Sequence, residues 1–326
     1  MKAVVLEALD DFSCKQTEIP EPKHGEVLVR VEAAPINPSD IVFLKGQYGI
    51  RKEMPAVAGF EGAGVVVKSG GGLLGWSLVN KRVAVMADKS GGTWAQYIVT
   101  SAKNCVKLSN NVPVELGACF FANPFTAVMF MEVIKEGKHK AIVQTAASSA
   151  VGKMLFRYAQ HSKIPIVNIV RRESQVEMFR EMGAEYVLNS NSADFLEQLN
   201  TLCSQLGVTC AFDAVSGEMT GILLEAVQEQ GVVYIYGALG KQPLSGVHSK
   251  NLTDLGKRIE GLWLKEWIQK QGKLAKWNLA NKVMHLLPTI LKTEISREFA
   301  LDQINEALDY YKKHMSEGKV ILKPNN

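Results

Sequence analysis

At 326 residues the chain exceeds one typical globular unit, so two domains are expected, one of them able to interrupt the other. Its 37 Lys and Arg against 33 Asp and Glu give a net charge of +4 and a pI near 8.6, too slight a basic balance to argue for nucleic acid, although it suits a phosphate-bearing ligand. No apolar run reaches the roughly 20 residues that cross a bilayer. The five cysteines, odd in number and never in a CxxC pair, argue against a disulfide framework and for a reducing compartment.

The opening "MKAVVLEALDDFSCKQ" carries a short apolar, strand-like run followed by acidic residues, which is not the pattern of a targeting segment. The first third continues as β segments, "KAVVLEA", "EVLVRVEAAPI", "AGVVVKS", "KRVAVM", "AQYIVT" and "NCVKL", separated by Pro, Gly, Asn and Ser. Within it, residues 70–75 of "SGGGLLGWS" read as a flexible hairpin connection, since no GK[ST] ending follows. From Asn123 the texture changes to strands alternating with helices, which predicts βαβ crossovers and a parallel sheet. The strands are "AIVQT", "IPIVNIV", "EYVL", "TCAFDAV", "GVVYIYG" and "IEGLWL". The helices between them are "SAVGKMLFRYAQH", "QVEMFREMG", "ADFLEQLNTLCSQLG" and "MTGILLEAVQEQ", several ended by a capping Gly. Six such strands predict a doubly wound sheet. A Lys-rich helical stretch over 265–292 follows, and then "LDQINEALDYYKKHMSEGKVILKP", a helix and a short strand expected to rejoin the first unit.

The segment "AIVQTAASSAVGKMLFRYAQ" is a strand, a small polar turn and a helix, the place where an α/β sheet holds a pyrophosphate. Its glycine fingerprint is poor: Ala147 and Ala150 stand in the turn and only Gly152 is kept. Small residues still permit close approach, and Ser148 and Ser149 can cap the helix; an ordinary capped helix is the plain alternative. The next strand ends in Arg171 and Arg172, about 20 residues on, where an acidic residue would select NAD. Two guanidinium groups favour a 2′-phosphate there, hence NADPH over NADH, against the alternative of a solvated loop.

"ANPFTAVMFMEVIKEG" predicts a helix with Asn123 as its N-cap and Pro124 at its first position; capping explains Asn123 without a ligand, and a cofactor contact from the junction of the two sequence regions is the alternative. A catalytic zinc needs about three Cys, His or carboxylate ligands. The six histidines are scattered, and Phe60 precedes Glu61 where a ligand would be useful, so no metal is expected. Tyr48, flanked by glycine in "KGQYGIRKEMP", lies in a loop able to bring a phenol to a cleft, where it could donate to a developing oxyanion. A half-buried aromatic with its hydroxyl in water is the plain alternative. Trp263 and Trp267 are either core or an apolar wall for a substrate chain, and Lys319 is either a surface lysine or a reach toward a cofactor phosphate.

Taken together, "APINPSDIVFLKGQYG", "MPAVAGFEGAGVV", "GTWAQYIV", "ANPFTAVMFM", "AASSAVGK", "VNIVRR", "YGALGKQPL" and "IEGLWLKEW" resemble the zinc-free branch of the medium-chain dehydrogenase/reductase superfamily. Within that branch they are most similar to the mitochondrial-type trans-2-enoyl-thioester reductases and the quinone oxidoreductases. The resemblance implies an α/β protein in which a GroES-like β-rich catalytic domain, 1–122 with 271–326, encloses a doubly wound Rossmann domain with a parallel sheet, 123–270. It implies Tyr48 as the catalytic group and Trp263 beside the substrate. It also implies NADPH contacts from Asn123, Ser148, Ser149, Ala150, Val151, Arg171, Arg172, Tyr236, Gly237, Ala238, Leu239, Leu262, Lys265 and Lys319. The turn departs from the Asn-Ser-Gly-Val that such reductases often carry, having Ser148, Ser149, Ala150 and Val151 instead.

The activity implied is NADPH-dependent reduction of the C=C bond of an enoyl thioester, borne by coenzyme A or an acyl carrier protein. A quinone or small-enone reductase, a non-catalytic NADPH-binding protein and a zinc alcohol dehydrogenase are the competing readings. By the same resemblance the protein is expected to be a homodimer pairing its Rossmann sheets near "GVVYIYG". It is expected to be cytoplasmic, since no leader of the mitochondrial kind is visible, and to have no membrane or nucleic-acid partner.

Overall fold

A computed structural model describes residues 1–88 and 91–326 and divides the chain into two compact units, Met1–Phe125 with Ala280–Asn326, and Thr126–Leu279. The second unit is built on a six-stranded sheet in the order Tyr186–Asn189, Ile166–Val170, Ile142–Gln144, Cys210–Asp213, Val232–Ile235, Arg258–Gly261. Every pairing in it is parallel. Numbered by their succession in the chain, these strands run 3-2-1-4-5-6, the doubly wound order whose direction reverses between the first and fourth strands.

Strands covered on both faces must be apolar throughout rather than alternating. Ile166–Val170 and Cys210–Asp213 are accordingly buried at every position. Helices Ala150–His161, Glu173–Glu181, Phe195–Leu206 and Glu218–Ala226 follow successive strands as their apolar spacing predicts. Phe195–Leu206 stops at Gly207, whose φ of 63° is the left-handed turn that a C-terminal cap needs. Two sequence expectations shift at the last strand. The strand predicted over 259–264 ends at Gly261, Leu264–Lys270 is already helix, and the Lys-rich stretch divides into that helix and Lys273–Leu286.

The first unit is β-rich and mostly antiparallel. Glu26–Pro35 is its hub, pairing with Glu61–Ser69, with Tyr97–Ser101 and with the C-terminal strand Lys319–Leu322. Its core gathers Val29, Val31, Ile36, Val85, Trp94, Leu308 and Val320, and the Trp94 indole N–H donates to the Pro35 carbonyl at 3.1 Å. Three strands escaped the sequence reading: the two-residue Ala56–Val57, which pairs with Lys2–Ala8, and the strands Asp11–Gln16 and Ile295–Phe299. Among the described residues, Asp11–Gln16 pairs only with Lys2–Ala8 and Ile295–Phe299 only with Lys319–Leu322, so these two are exposed edges with little apolar signal. The hairpin connection expected at residues 70–75 is also corrected: a short helix, Leu73–Leu78, occupies it and seats Gly75 and Leu78 while Leu73 and Trp76 stay exposed. Among the described residues no helix is long and apolar enough to cross a membrane.

Candidate functional site

At the switch point of the six-stranded sheet, the two diverging strands are tied together by side chains. The Thr145 hydroxyl donates to Asp213 Oδ1 at 2.9 Å and accepts the Ala214 N–H at 2.8 Å. Asp213, fully buried, also accepts the Val215 and Ser216 N–H groups and the Thr220 hydroxyl, and so shapes the loop that leaves its strand. Beside it the first strand turns through Ala146, at φ 48°, into helix Ala150–His161. Gly152 is required here: a Cβ at that position would lie 2.4 Å from the Ala147 carbonyl oxygen, so the helix could not come this close to its strand.

Both serines of the turn are engaged, in different ways. Ser149 Oγ accepts the Gly152 N–H at 3.1 Å and is the N-cap, as expected, whereas Ser148 Oγ accepts from Gln175 Nε2 at 2.8 Å and does not cap. A helix leaves its first N–H groups without intrahelical partners. Ser149 takes up that of Gly152, and the amides of Ala150 and Val151 stand at the head of the same turn. Arg171 and Arg172 follow the second strand with exposed side chains, and Arg172 begins helix Glu173–Glu181 without capping it. Gln175 joins the two loops, since its amide oxygen accepts the Arg171 N–H at 3.2 Å while its amide nitrogen reaches Ser148.

Farther along the sheet, Tyr236 sets its ring edge-on to Phe130 at 4.8 Å, and burial beside the Asp213 charge pushes its phenol well above the ordinary range. Gly237 packs against the backbone of Ala214, and Ala238 and Leu239 are exposed, the Leu239 N–H donating to the Ala214 carbonyl. Leu262 bonds back to Ile235 at 2.8 Å, Trp263 opens helix Leu264–Lys270, and the Lys265 ammonium lies 5.1 Å over the Trp263 ring. The structure therefore brings Ser148 and Arg171 together through Gln175, and Trp263 together with Lys265.

Asn123, Tyr48 and Lys319 belong to the other unit. Asn123 is not an N-cap: the helix runs Ala122–Glu136, so Asn123 lies inside its first turn. The cap comes from Glu61, whose Oε2 accepts the Phe121 and Ala122 N–H groups at 2.9 and 3.0 Å. A carboxylate at a helix N-terminus satisfies orphan donors and opposes the helix dipole at once. Its Oε1 accepts from Asn37 Nδ2 at 2.9 Å, and Asn37 Oδ1 in turn accepts from the Lys319 ammonium, which also reaches the Ile36 carbonyl. With 3% exposure Lys319 is not a surface lysine. Burial pushes the Glu61 carboxyl up, while the Ala122 amide, the Lys319 charge and Asn37 favour its ionised form.

Asp40, in helix Pro38–Leu44, accepts the Asn37 N–H at 2.7 Å through one oxygen and, among the described residues, has no hydrogen-bond partner at the other. Burial raises its carboxyl to about 7. The Tyr48 ring is half-buried and tilted against Phe60 at 5.3 Å, with Phe43 on the same Phe60 ring at 5.2 Å. Lys52, four residues on, sets its ammonium 5.5 and 5.6 Å from the Phe60 and Phe43 ring centres, and burial pulls it down to about 8 against the opposing pull of Asp40 and Asp88.

Asn37, Asp40, Lys52 and Asp213 were not singled out from the sequence. "INPSD" does carry a signal, an Asn, Pro and Asp in the order of a helix start, but Lys52 carries none. Zinc does not fit this set. Beside Glu61, Phe60 contributes a ring rather than the nitrogen, sulfur or oxygen donor that a zinc ligand must supply. Among the described residues no three or more His, Cys, Asp or Glu side chains gather to hold a metal ion.

Residues 23–110 match the family described as alcohol dehydrogenase GroES-like domain, and residues 150–278 that described as zinc-binding dehydrogenase. The mitochondrial enoyl-[acyl-carrier-protein] reductase of Arabidopsis thaliana is 29% identical over 276 residues, 82% of this chain and 73% of that protein. The reductase of the same name from Xenopus tropicalis is 28% identical over 313 residues, 93% of this chain and 88% of its own length. Among solved structures, a Mesorhizobium loti protein provisionally assigned as an NADPH:quinone reductase superposes with a TM-score of 0.90 at 30% identity, covering 99% of this chain and 98% of that one. The chain belongs to the medium-chain dehydrogenase/reductase superfamily, with the GroES-like and Rossmann-type architecture of that family.

Proposed function

We propose that the protein is an NADPH-dependent reductase of a carbon–carbon double bond conjugated to a thioester carbonyl, with Tyr48 as its catalytic group. The observation that carries this reading is the pairing of Tyr48 with Phe60 beside Glu61: two aromatic rings pack together there, neither of which is a ligand of the kind a catalytic zinc needs. The similarity to enoyl-[acyl-carrier-protein] reductases along 82–93% of the chain supports the thioester.

Bound NADPH would supply a hydride to the substrate β-carbon. In this reading the turn of Ser148, Ser149, Ala150 and Val151 holds the pyrophosphate at the helix start, and Arg171 and Arg172 take the 2′-phosphate. Asn123, Tyr236, Gly237, Ala238, Leu239, Leu262 and Lys265 would complete the cofactor contacts, and Trp263 would border the substrate, whereas Lys319, buried and bonded to Asn37 and the Ile36 carbonyl, is assigned to the structural unit around Glu61 instead. Addition at that carbon would leave negative charge on the carbonyl oxygen. The Tyr48 hydroxyl donates a hydrogen bond to that oxyanion or delivers the proton that completes reduction.

The quinone or small-enone reading draws on the 30%-identical structural relative, whose name is that of a quinone reductase. The test is NADPH oxidation by purified protein with a short and a medium trans-2-enoyl-CoA, with a simple quinone and NADH in parallel. Thioester turnover with NADPH upholds the proposal. Reduction of the quinone alone overturns the acyl substrate and leaves the cofactor assignment.

A further inference from the structure

The loop that bears Tyr48 has little backbone holding it. Gly46 and Gln47 still bond back to the end of helix Pro38–Leu44, but among the described residues no N–H of residues 49–55 donates to a backbone carbonyl. A polar, glycine-flanked segment without such bonds samples many conformations, whereas a proton donor must be held in place to act. Besides Tyr48 itself, Lys52 reaches from the loop into the fold: its ammonium donates to the Val57 carbonyl at 3.2 Å and to the Gly91 carbonyl. The faces of Phe43 and Phe60 also border it, the Asp40 and Asp88 charges act on it, and Phe60 is the ring against which Tyr48 rests. Lysine with a long apolar stem and a charged head suits this cleft, since the stem packs while the head takes carbonyl oxygens and ring faces.

We propose that Lys52 is a positioning residue, a clasp that pins the Tyr48 loop to the strand Ala56–Val57 and to Gly91 and so fixes the phenol against Phe60. The idea rests on the reading of Tyr48 as the catalytic group, but the clasp itself can be measured without substrate. Hydrogen exchange of the bonded amides that flank the loop, those of Gly46, Gln47 and Ala58, should speed up in Lys52→Met and stay near wild type in Lys52→Arg, which keeps the charge. With an active substrate, Lys52→Met should lower kcat on the order of 10- to 100-fold with little change in KM, and Lys52→Arg should recover most of the loss. In a Tyr48→Phe background the same Lys52→Met change should cost less than about 2-fold, because a residue acting through Tyr48 has nothing left to position.

Unchanged exchange of these flanking amides in Lys52→Met overturns the clasp. So does a kcat loss of equal size with and without Tyr48. Full turnover by Tyr48→Phe alone would sink the reading of Tyr48 instead, and the exchange result then upholds or overturns the clasp by itself.

Discussion

Two helices of this chain begin in opposite ways. Ala150–His161 is started by its own neighbour, the Ser149 hydroxyl, which takes one amide across three residues. Ala122–Glu136 is started from 60 residues away by the Glu61 carboxylate, which takes two. A neutral hydroxyl leaves most of the positive end of a helix open to an anion, whereas a carboxylate consumes it. The first helix end therefore suits a phosphate. The second cannot, and its carboxylate serves to lock Asn37, Lys319 and the helix start into one buried unit.

The sharpest way to break this contrast is Glu61→Ala, which leaves two amides and the Asn37 amide unanswered beside a buried ammonium. Removing one partner of a buried charged set costs about 3–5 kcal/mol, so the urea midpoint should fall steeply. Glu61→Gln, which keeps an acceptor, should lose less. A midpoint unchanged in Glu61→Ala would remove the carboxylate from the architecture.

Next in size is the phosphate side. Exchanging Arg171 and Arg172 together for Ala should weaken NADPH binding about 10- to 100-fold, the scale of losing charge-assisted bonds, while NADH binding stays within about 2-fold. Equal losses for both nucleotides would mean that these exposed guanidinium groups do not read the 2′-phosphate. The smallest effect belongs to Ser149→Ala, expected to cost about 1 kcal/mol of stability. A loss as large as that of Glu61→Ala would erase the difference between a local and a remote cap.

The same contrast explains how far the sequence could be read. Buried strands of the parallel sheet such as Ile166–Val170 and Cys210–Asp213 announce themselves as mainly apolar runs, and the Ser149 cap lies next to the helix it starts, so both were visible locally, whereas the last strand, Arg258–Gly261, is polar and mostly exposed and its bounds were not. Asn123 has the composition of a cap, yet the carboxylate that does the capping is brought in by a distant strand, and no local pattern reveals that. Lys52 is silent for the same reason: its carbonyl partners at Val57 and Gly91 are set by tertiary packing. Asp11–Gln16 did alternate, with Phe12 and Cys14 half-buried, but four polar residues in six masked the period.

The central claim is that Tyr48 carries chemistry in a site without metal, and one comparison tests it. With NADPH and a trans-2-enoyl-CoA that wild type reduces, Tyr48→Phe should lose about 100- to 1000-fold in kcat, the roughly 2.7–4 kcal/mol of one oxyanion donor. Its urea midpoint and NADPH affinity should remain those of wild type, because only the hydroxyl is removed and the ring still packs on Phe60. Wild-type turnover by Tyr48→Phe would contradict the claim.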